Sequence, residues 1–365
     1  MESVAYVGMD VDKDKIAMAI IADYEAEPRV ERVIKNSPKE IEKFFEAWAP
    51  KFDRMSCCYE ASGCGFVLQR RITGLGHLCT VVAPASLPRA AKDRIKTDRR
   101  DARKLAKALR NGELQPVFVP SKGQEADRDY LRLYEDVKSD LKKAKQRLLH
   151  FLHRHEIRYS GGTNWTGRFW IWLQSLELDT AMARETLEEY KDEVKRLDEK
   201  RVRLKDRIEE IAAQEAYAEP VKKLSAFKGI ATLTALSLVL EVGDFKRFGR
   251  AQQFMAFLGL VPSEHSSGSK RRVGSITKAG NSHLRKLLIE AAWHARSYQS
   301  HSKTIERARQ GLPAEVVRYA DRAGHRLHRK FWRLTHARRP PQVAATAVAR
   351  ELAGFVWGAM VGQTT

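Results

Sequence analysis

The sequence predicts an α/β domain followed by two helical units, an α/β plus α architecture. Three observations carry this. Between residues 3 and 120, short apolar runs alternate with helical patterns; from 126 to 215, apolar residues recur at steps of three and four; from 221 onward, the apolar segments have helical length. The boundaries this implies are 1–122, 123–218 and 219–365.

In the first domain, Val4 to Met9 is a strand ending at Asp10, and Lys15 to Ala22 (KIAMAIIA) is its natural hairpin partner. Ser37 to Trp48 is helical, with Ile41, Phe44, Phe45 and Trp48 on one face, Ser37 as N-cap and Pro38 at the first position. Arg54 to Tyr59 is a strand ending at Glu60. A helix over Gly65–Leu75 follows, then a strand over Leu78–Ala83 closed by Pro84. Asp98 to Asn111 is helical and is stopped by Asn111-Gly112.

In the second domain, Leu133, Val137, Leu141, Ala144, Leu148 and Phe151 form one seam. Leu187, Tyr190, Val194, Leu197, Leu204, Ile208 and Ile211 form another, with Arg201 at the one position that is not apolar. Ser160 to Gly167 (SGGTNWTG) can reverse the chain, so an antiparallel coiled-coil hairpin is expected, with Trp165, Phe169, Trp170 and Trp172 packing its tip. The third domain is mostly helical. Leu224–Leu240 is interrupted by Lys228-Gly229, Gln252–Leu258 is a second helix, and Ser282–Tyr298 a third. A tail over Arg318–Arg339 is dense in Arg and His, and Val343–Met360 is an apolar closing helix.

Composition narrows the function. Lys and Arg outnumber Asp and Glu by 66 to 46, a net charge of +20 that favours a polyanionic partner, because basic side chains release counterions from phosphates. Charge alone leaves generic RNA binding open beside an enzyme. Cys57, Cys58, Cys64 and Cys79 form no CxxC pair and read as reduced thiols. The first residues, MESVAYVGMDVDKD, lack a basic n-region, and no segment reaches about 18 uncharged apolar residues. The expectation is a cytoplasmic, nucleoid-associated protein with no membrane partner.

The acids that end the strands carry the chemistry. Asp10 and Glu60 stand at strand ends, and Asp98 and Asp101 share one face at the start of a helix. Four carboxylates converging at one sheet edge would repel unless a hard cation neutralised them, and oxygen donors suit Mg²⁺ or Mn²⁺. Read from spacing alone, the same residues also serve as solvated turn acids and dipole-favoured first-turn acids. The loop SSGSKRRVGSITKAGN likewise reads either as a basic grip on phosphates or as the seat of a nucleophilic serine.

GMDVDK, YEASG and KTDRRDARKLA resemble, in order and spacing, the D-E-D-D signature of the RuvC-like (RNase H-like) domain of insertion sequence 110 family transposases, the bridge-RNA-guided recombinases. The resemblance continues through FKGIATLTALSLVLEVGDFKRF and FLGLVPSEHSSGSKRRVGSITKAGNSHLRKLL, and so spans nearly the whole chain. It implies that Asp10, Glu60, Asp98 and Asp101 are catalytic metal ligands. It further implies that Ser267, with Ser266 as the second candidate, attacks DNA to form a phosphoserine link. Lys270, Arg271 and Arg272 would hold the phosphate, with Lys278 and Arg285 in the following block. In the family the acids of one subunit work with the serine of another, so a dimer or tetramer is implied. A structured guide RNA would pair with target and donor DNA, and Arg326, Arg329, Lys330 and Arg333, interleaved with Phe331 and Trp332, would contact nucleic acid. Phe227-Lys228-Gly229-Ile230 resembles a phosphate-binding hairpin turn, although Ala231 stands where the family more often has Gly. Two rivals stay open: a RuvC-like nuclease using water, and a non-enzymatic RNA-binding scaffold.

Overall fold

The computed structural model describes residues 3–23, 25–83, 97–264, 272–297 and 302–363. The chain divides into two units, Met1–Val119 with Ala256–Ser282, and Pro120–Met255 with His283–Thr365. The first unit is built on β1 (Val4–Val11), β2 (Lys15–Ala22), β3 (Val30–Lys35), β4 (Arg54–Glu60) and β5 (Leu78–Val82). The sheet order is β3-β2-β1-β4-β5, antiparallel across the first three strands and parallel from β1 to β4 to β5. This mixed α/β sheet is consistent with the RuvC-like expectation. The strand β3 was not foreseen. Its VERVIK sequence is mostly exposed, because an edge strand pairs on one side only and needs no apolar run.

Both faces of the sheet are covered, and KIAMAIIA shows how. Ile16, Met18 and Ile20 point to one face, where they pack with α1 (Pro38–Trp48) through Ile41, Phe44 and Phe45, and with α2 (Val67–Gly74) through Leu68 and Ile72. Ala17, Ala19 and Ile21 point to the other face, against Ala102 and Ala106 of α3 (Asp98–Arg110). Large residues thus fill one layer while small ones draw α3 close on the other. Gly8 of β1 takes this furthest: a Cβ there would lie 2.1 Å from the Ala102 carbonyl oxygen and 2.4 Å from the Ala106 nitrogen. The helix runs antiparallel to β1. Its first residue, Asp98, pairs with Lys15 at the start of β2, while Lys107 pairs with Glu27 at 3.0 Å and Arg110 donates to the Glu25 carbonyl beyond the far end of β2.

In the second unit α4 (Lys122–Arg154) and α6 (Ala181–Ala212) pack antiparallel. The Phe151 and Tyr190 rings lie 5.5 Å apart at one end, and Tyr217 donates to Asp127 at 2.8 Å at the other. The buried residues include most of both expected seams, with two corrections: Leu133 is exposed while Leu131 and Tyr134 are buried beside it, and Tyr190 is half-buried beside buried Lys191; Arg201 is held by Asp198 at 2.9 Å rather than buried. A short helix, α5 (Gly167–Gln174), occupies the tip, where fully buried Phe169 packs against the rings of Tyr159, Trp165 and Trp172. The tip aromatics are packing residues, as the sequence suggests.

The remaining helices are α7 (Glu215–Ser225), α8 (Thr232–Val242), α9 (Ala251–Phe257), α10 (Ser282–Ala292), α11 (Lys303–Arg309), α12 (Ala314–His336) and α13 (Pro341–Val361). The helix expected to reach Tyr298 ends at Ala292 and tightens into a 3₁₀ turn over Trp293–Arg296. Arg128 ties α4 to α8: its guanidinium is buried and donates to the Leu240 and Glu241 carbonyls at 2.8 and 3.1 Å, satisfying the open C-terminal carbonyls of α8. Among the described residues, no helix is long and apolar enough to cross a membrane.

Gly8→Ala is expected to destabilise the first unit by about 3 kcal/mol, because the added methyl meets helix backbone rather than a movable side chain; chemical denaturation followed by circular dichroism checks this. Arg128→Leu should cost roughly 2–3 kcal/mol by leaving two carbonyls without their donor, read as a lowered thermal midpoint.

Candidate active site

Strand alternation aims the first two acids. Gly8 faces α3, so Asp10, two residues on, lies on the same face. On β4, Cys58 packs with Leu105 of α3, so Glu60 shares that face too. The parallel register pairs Met9 with Tyr59, and Asp10 and Glu60 are the next residues on adjacent strands. Strands in a sheet run about 4.8 Å apart. The Glu60 charge is close enough to oppose ionisation of Cys58, whose thiol is pushed up mainly by burial and further by Cys79 and Glu60.

The other two acids open α3. Thr97 caps the helix by accepting from the Arg100 backbone N–H at 3.4 Å, which sets Asp98 and Asp101 in the first turn, where the helix dipole favours negative charge. Because α3 runs antiparallel to β1, this turn lies at the end of the sheet where β1 and β4 finish. Asp98 stands one turn before Ala102, the residue over Gly8.

A basic residue that sequence reasoning missed belongs to this end. Lys15 contacts Asp98 at 2.6 Å, with both side chains about half exposed. Its pKa is raised by the Asp98 hydrogen bond and charge, with smaller contributions from Asp12 and Asp10. The signal was present in the turn: the Asp12 N–H bonds to the Lys15 carbonyl at 2.9 Å, so the DVDKDK hairpin brings Lys15 back beside the end of β1.

The four candidate donors are hard carboxylates, whose chemistry suits a small divalent ion, and of these only Asp98 is in contact with the Lys15 ammonium. Among the described residues, no three His, Cys, Asp or Glu side chains lie close enough together to hold a metal ion. The arrangement is an open acidic mouth, with Asp98 turned to Lys15.

The serine candidates Ser266 and Ser267, with Lys270 and Arg271, lie outside the described residues. Their flanks are described. An unforeseen two-stranded ribbon, β6 (Pro262–Glu264) with β7 (Val273–Ile276), brackets the segment, and exposed Arg272 leads into β7. Behind the ribbon, the TKAGN block folds back on the end of α9. The Thr277 and Lys278 N–H groups donate to the Val261 and Gly259 carbonyls at 2.8 and 3.1 Å, and Asn281 N–H donates to the Phe257 carbonyl at 3.0 Å. Gly280 has φ +84°, and a Cβ there would lie 2.1 Å from the Phe257 oxygen, so this glycine is required by both conformation and space. Lys278 has φ +55°, unusual for a side-chain-bearing residue. Arg285 falls in the first turn of α10 and is half-buried.

In the tail, Arg326 and Lys330 both engage Glu351 of α13, Lys330 at 2.6 Å, and Arg326, Arg329 and Arg333 are all exposed. Phe331 is buried against Trp293, and Trp332 donates its indole N–H to the Arg296 carbonyl at 3.0 Å. Phe331 thus serves packing, whereas Trp332 is half-buried and lies beside His328 and His336. Lys228, in the hairpin-like turn, donates to the Ser297 carbonyl at 2.8 Å, and a Cβ on Gly229 (φ +89°) would strike the Ala291 carbonyl oxygen at 2.4 Å. That turn packs on the end of α10.

Comparison with known proteins identifies the family. A family model described as Transposase, of the DEDD type, matches residues 7–156, and one described as Transposase IS116/IS110/IS902 family matches residues 221–306. The transposase-named protein y4qE of Sinorhizobium fredii is 36% identical over 354 residues, covering 97% of this chain and 87% of the relative. The transposase for insertion sequence element IS1533 of Leptospira borgpetersenii is 35% identical over 342 residues, covering 93% of this chain and 99% of the relative. The transposase for insertion sequence element IS1111A of Coxiella burnetii is 44% identical over 87 residues, 24% of each chain. Two matched blocks in order, and relatives aligned over almost their full length, establish that this chain belongs to the IS116/IS110/IS902 family of transposases, enzymes that cut and rejoin DNA.

Proposed function

We propose that this transposase exchanges DNA strands through a phosphoserine intermediate, at a Mg²⁺-dependent site composed from two subunits and guided by a structured RNA. The observation carrying the reading is that Asp10 and Glu60 stand at the finishing ends of adjacent parallel strands, on the face covered by α3, whose first turn holds Asp98 and Asp101. Mg²⁺, or Mn²⁺ in its place, would supply Lewis-acid stabilisation of charge on the phosphate oxygens and the attacking oxygen.

The residues divide the work. The Ser267 hydroxyl attacks the phosphorus; its oxygen–phosphorus bond forms as the phosphodiester bond to the departing strand end breaks. The serine proton passes to a carboxylate of the acid mouth, and the departing oxygen leaves as a hydroxyl once protonated. Rejoining reverses this, with an incoming strand hydroxyl displacing the serine. Ser266 is the second candidate for the nucleophile. Lys270, Arg271 and Arg272 hold the phosphate, and Lys278 and Arg285 support the DNA beside it. The clasp of TKAGN on α9 fixes the root of the serine segment, as a reacting hydroxyl requires. Target and donor DNA are the substrates, with sequence choice delegated to the RNA. The α4–α6 pair acts as a coiled-coil arm in a dimer or tetramer.

Ser267→Ala should abolish the covalent protein–DNA adduct on denaturing gels while DNA binding persists; an adduct that survives this change and is lost in Ser266→Ala would move the nucleophile by one residue. Asp10→Asn should lower strand cleavage by about 100-fold or more with the circular dichroism spectrum unchanged; full cleavage activity would remove the acids from the mechanism. Lys15→Met removes the resident ammonium and should lower the Mn²⁺ concentration needed for half-saturation, followed by electron paramagnetic resonance; weaker binding would mean that Lys15 orders the acids rather than competing for them. Digestion of copurifying RNA should stop recombination, and added RNA should restore it.

A further inference from the structure

Helix α10 runs against its own dipole. The N-terminal end of a helix carries partial positive charge and favours acids, yet α10 has no acid in its first turn and opens SHLRK, with Arg285 and Lys286 close to its start. Its one acid, Glu290, stands near the opposite end, where the dipole favours cations. Leu284, Leu287 and Leu288 are buried and pack one side of the helix, but apolar packing does nothing for the charge of the first turn.

The missing acids come from two other helices of the same unit. Glu135 of α4 lies 3.4 Å from Lys286 through one oxygen and 3.3 Å from Lys138 through the other. Glu241, in the last turn of α8, is 3.1 Å from Arg132. The two carboxylates are 15% and 12% exposed, so their charge is screened less than that of a surface acid. Arg128, Arg132 and Glu135 follow one another on α4 at steps of four and three residues, which puts them on one face. Arg128, which closes the end of α8, thus belongs to the same seat. His283 and Lys286 share a face of α10 by the same rule. Burial holds the His283 imidazole below its usual range, while Glu241 and Glu135 pull the other way, so both acids reach this turn.

We propose that Glu135 is a positioning residue for the strand-exchange reaction. Together with Glu241, its carboxylate holds the first turn of α10 from outside the helix, and so fixes Arg285, which stands between His283 and Lys286 in that turn. The turn keeps its cations, which an acid of its own would neutralise. This role rests on the reading of Arg285 as a support for the DNA beside the reacting phosphate. Lys286 is half-exposed, and such a pair adds little to overall stability. The loss on removing it therefore falls on the geometry of Arg285 rather than on unfolding.

The full chain as purified is tested for cleavage of a duplex carrying the end of its own insertion sequence, with Glu135→Gln, Arg285→Gln and the two combined. Glu135→Gln should lower the cleavage rate at saturating DNA by about tenfold, with Kd changed by less than about twofold. The combined variant should be no slower than Arg285→Gln alone, because a residue that acts through another adds nothing once the other is gone. Hydrogen exchange reads the same turn without DNA. The Lys286, Leu287 and Leu288 amides, which bond back to the first turn, should exchange faster in Glu135→Gln. Adding Ser282→Asp, which supplies an acid within α10, should slow them again. An unchanged rate or unchanged exchange in Glu135→Gln overturns the positioning role, as do losses that multiply in the combined variant. Full activity in Arg285→Gln instead overturns the reading of Arg285 on which the role rests, and the exchange rates tell this apart from a failure of Glu135 alone.

Discussion

The close approach of α3 to the sheet over Gly8 is the constraint on which the rest of the first unit depends. A helix cannot lie within van der Waals contact of a strand unless the strand presents no side chain there, and β1 meets this with glycine while β2 offers Ala17 and Ala19. The approach seals one face of the sheet. It also decides where the first turn of α3 falls, and hence where Asp98 and Asp101 stand relative to the ends of β1 and β4. Packing and chemistry are therefore one problem here, because the contacts that bury Ala102 and Ala106 also set the position of the acids one turn away.

The concentration of negative charge at that end is met within the fold. Thr97 satisfies an open N–H of the first turn, the helix dipole favours the two acids, and Lys15 returns through the hairpin turn to lie against Asp98. A mouth of this kind is half-compensated and open to solvent.

Glycine and charge are used with similar economy in the segments that follow. Gly280 lets the TKAGN block close on α9, Gly229 lets the α7–α8 turn seat on α10, and Glu351 selects two of the tail's many cations for internal pairing. In each case one residue type that looks generic in sequence is bound to a particular backbone or partner, while its neighbours remain exposed. A basic or Gly-rich composition is therefore a poor guide to which residues meet a ligand.

By itself the sequence determined that strands finish at Glu60 and just past Asp10, the first helical turn at Asp98 and Asp101, the two long helices with most of their seams, and the family. These follow from local periodicity, caps and ordered motifs, which depend on neighbours within a few positions. It did not disclose the edge strand β3, whose pairing partner rather than its own pattern makes it a strand, or the β6–β7 ribbon. Only the tertiary structure decided that α3 runs antiparallel over Gly8, that Lys15 lies against Asp98, that Phe331 is buried against Trp293, and that Arg326 and Lys330 belong to Glu351. Those outcomes depend on which distant surfaces meet, and the meeting is governed by side-chain volume and by charge brought together from remote positions in the chain.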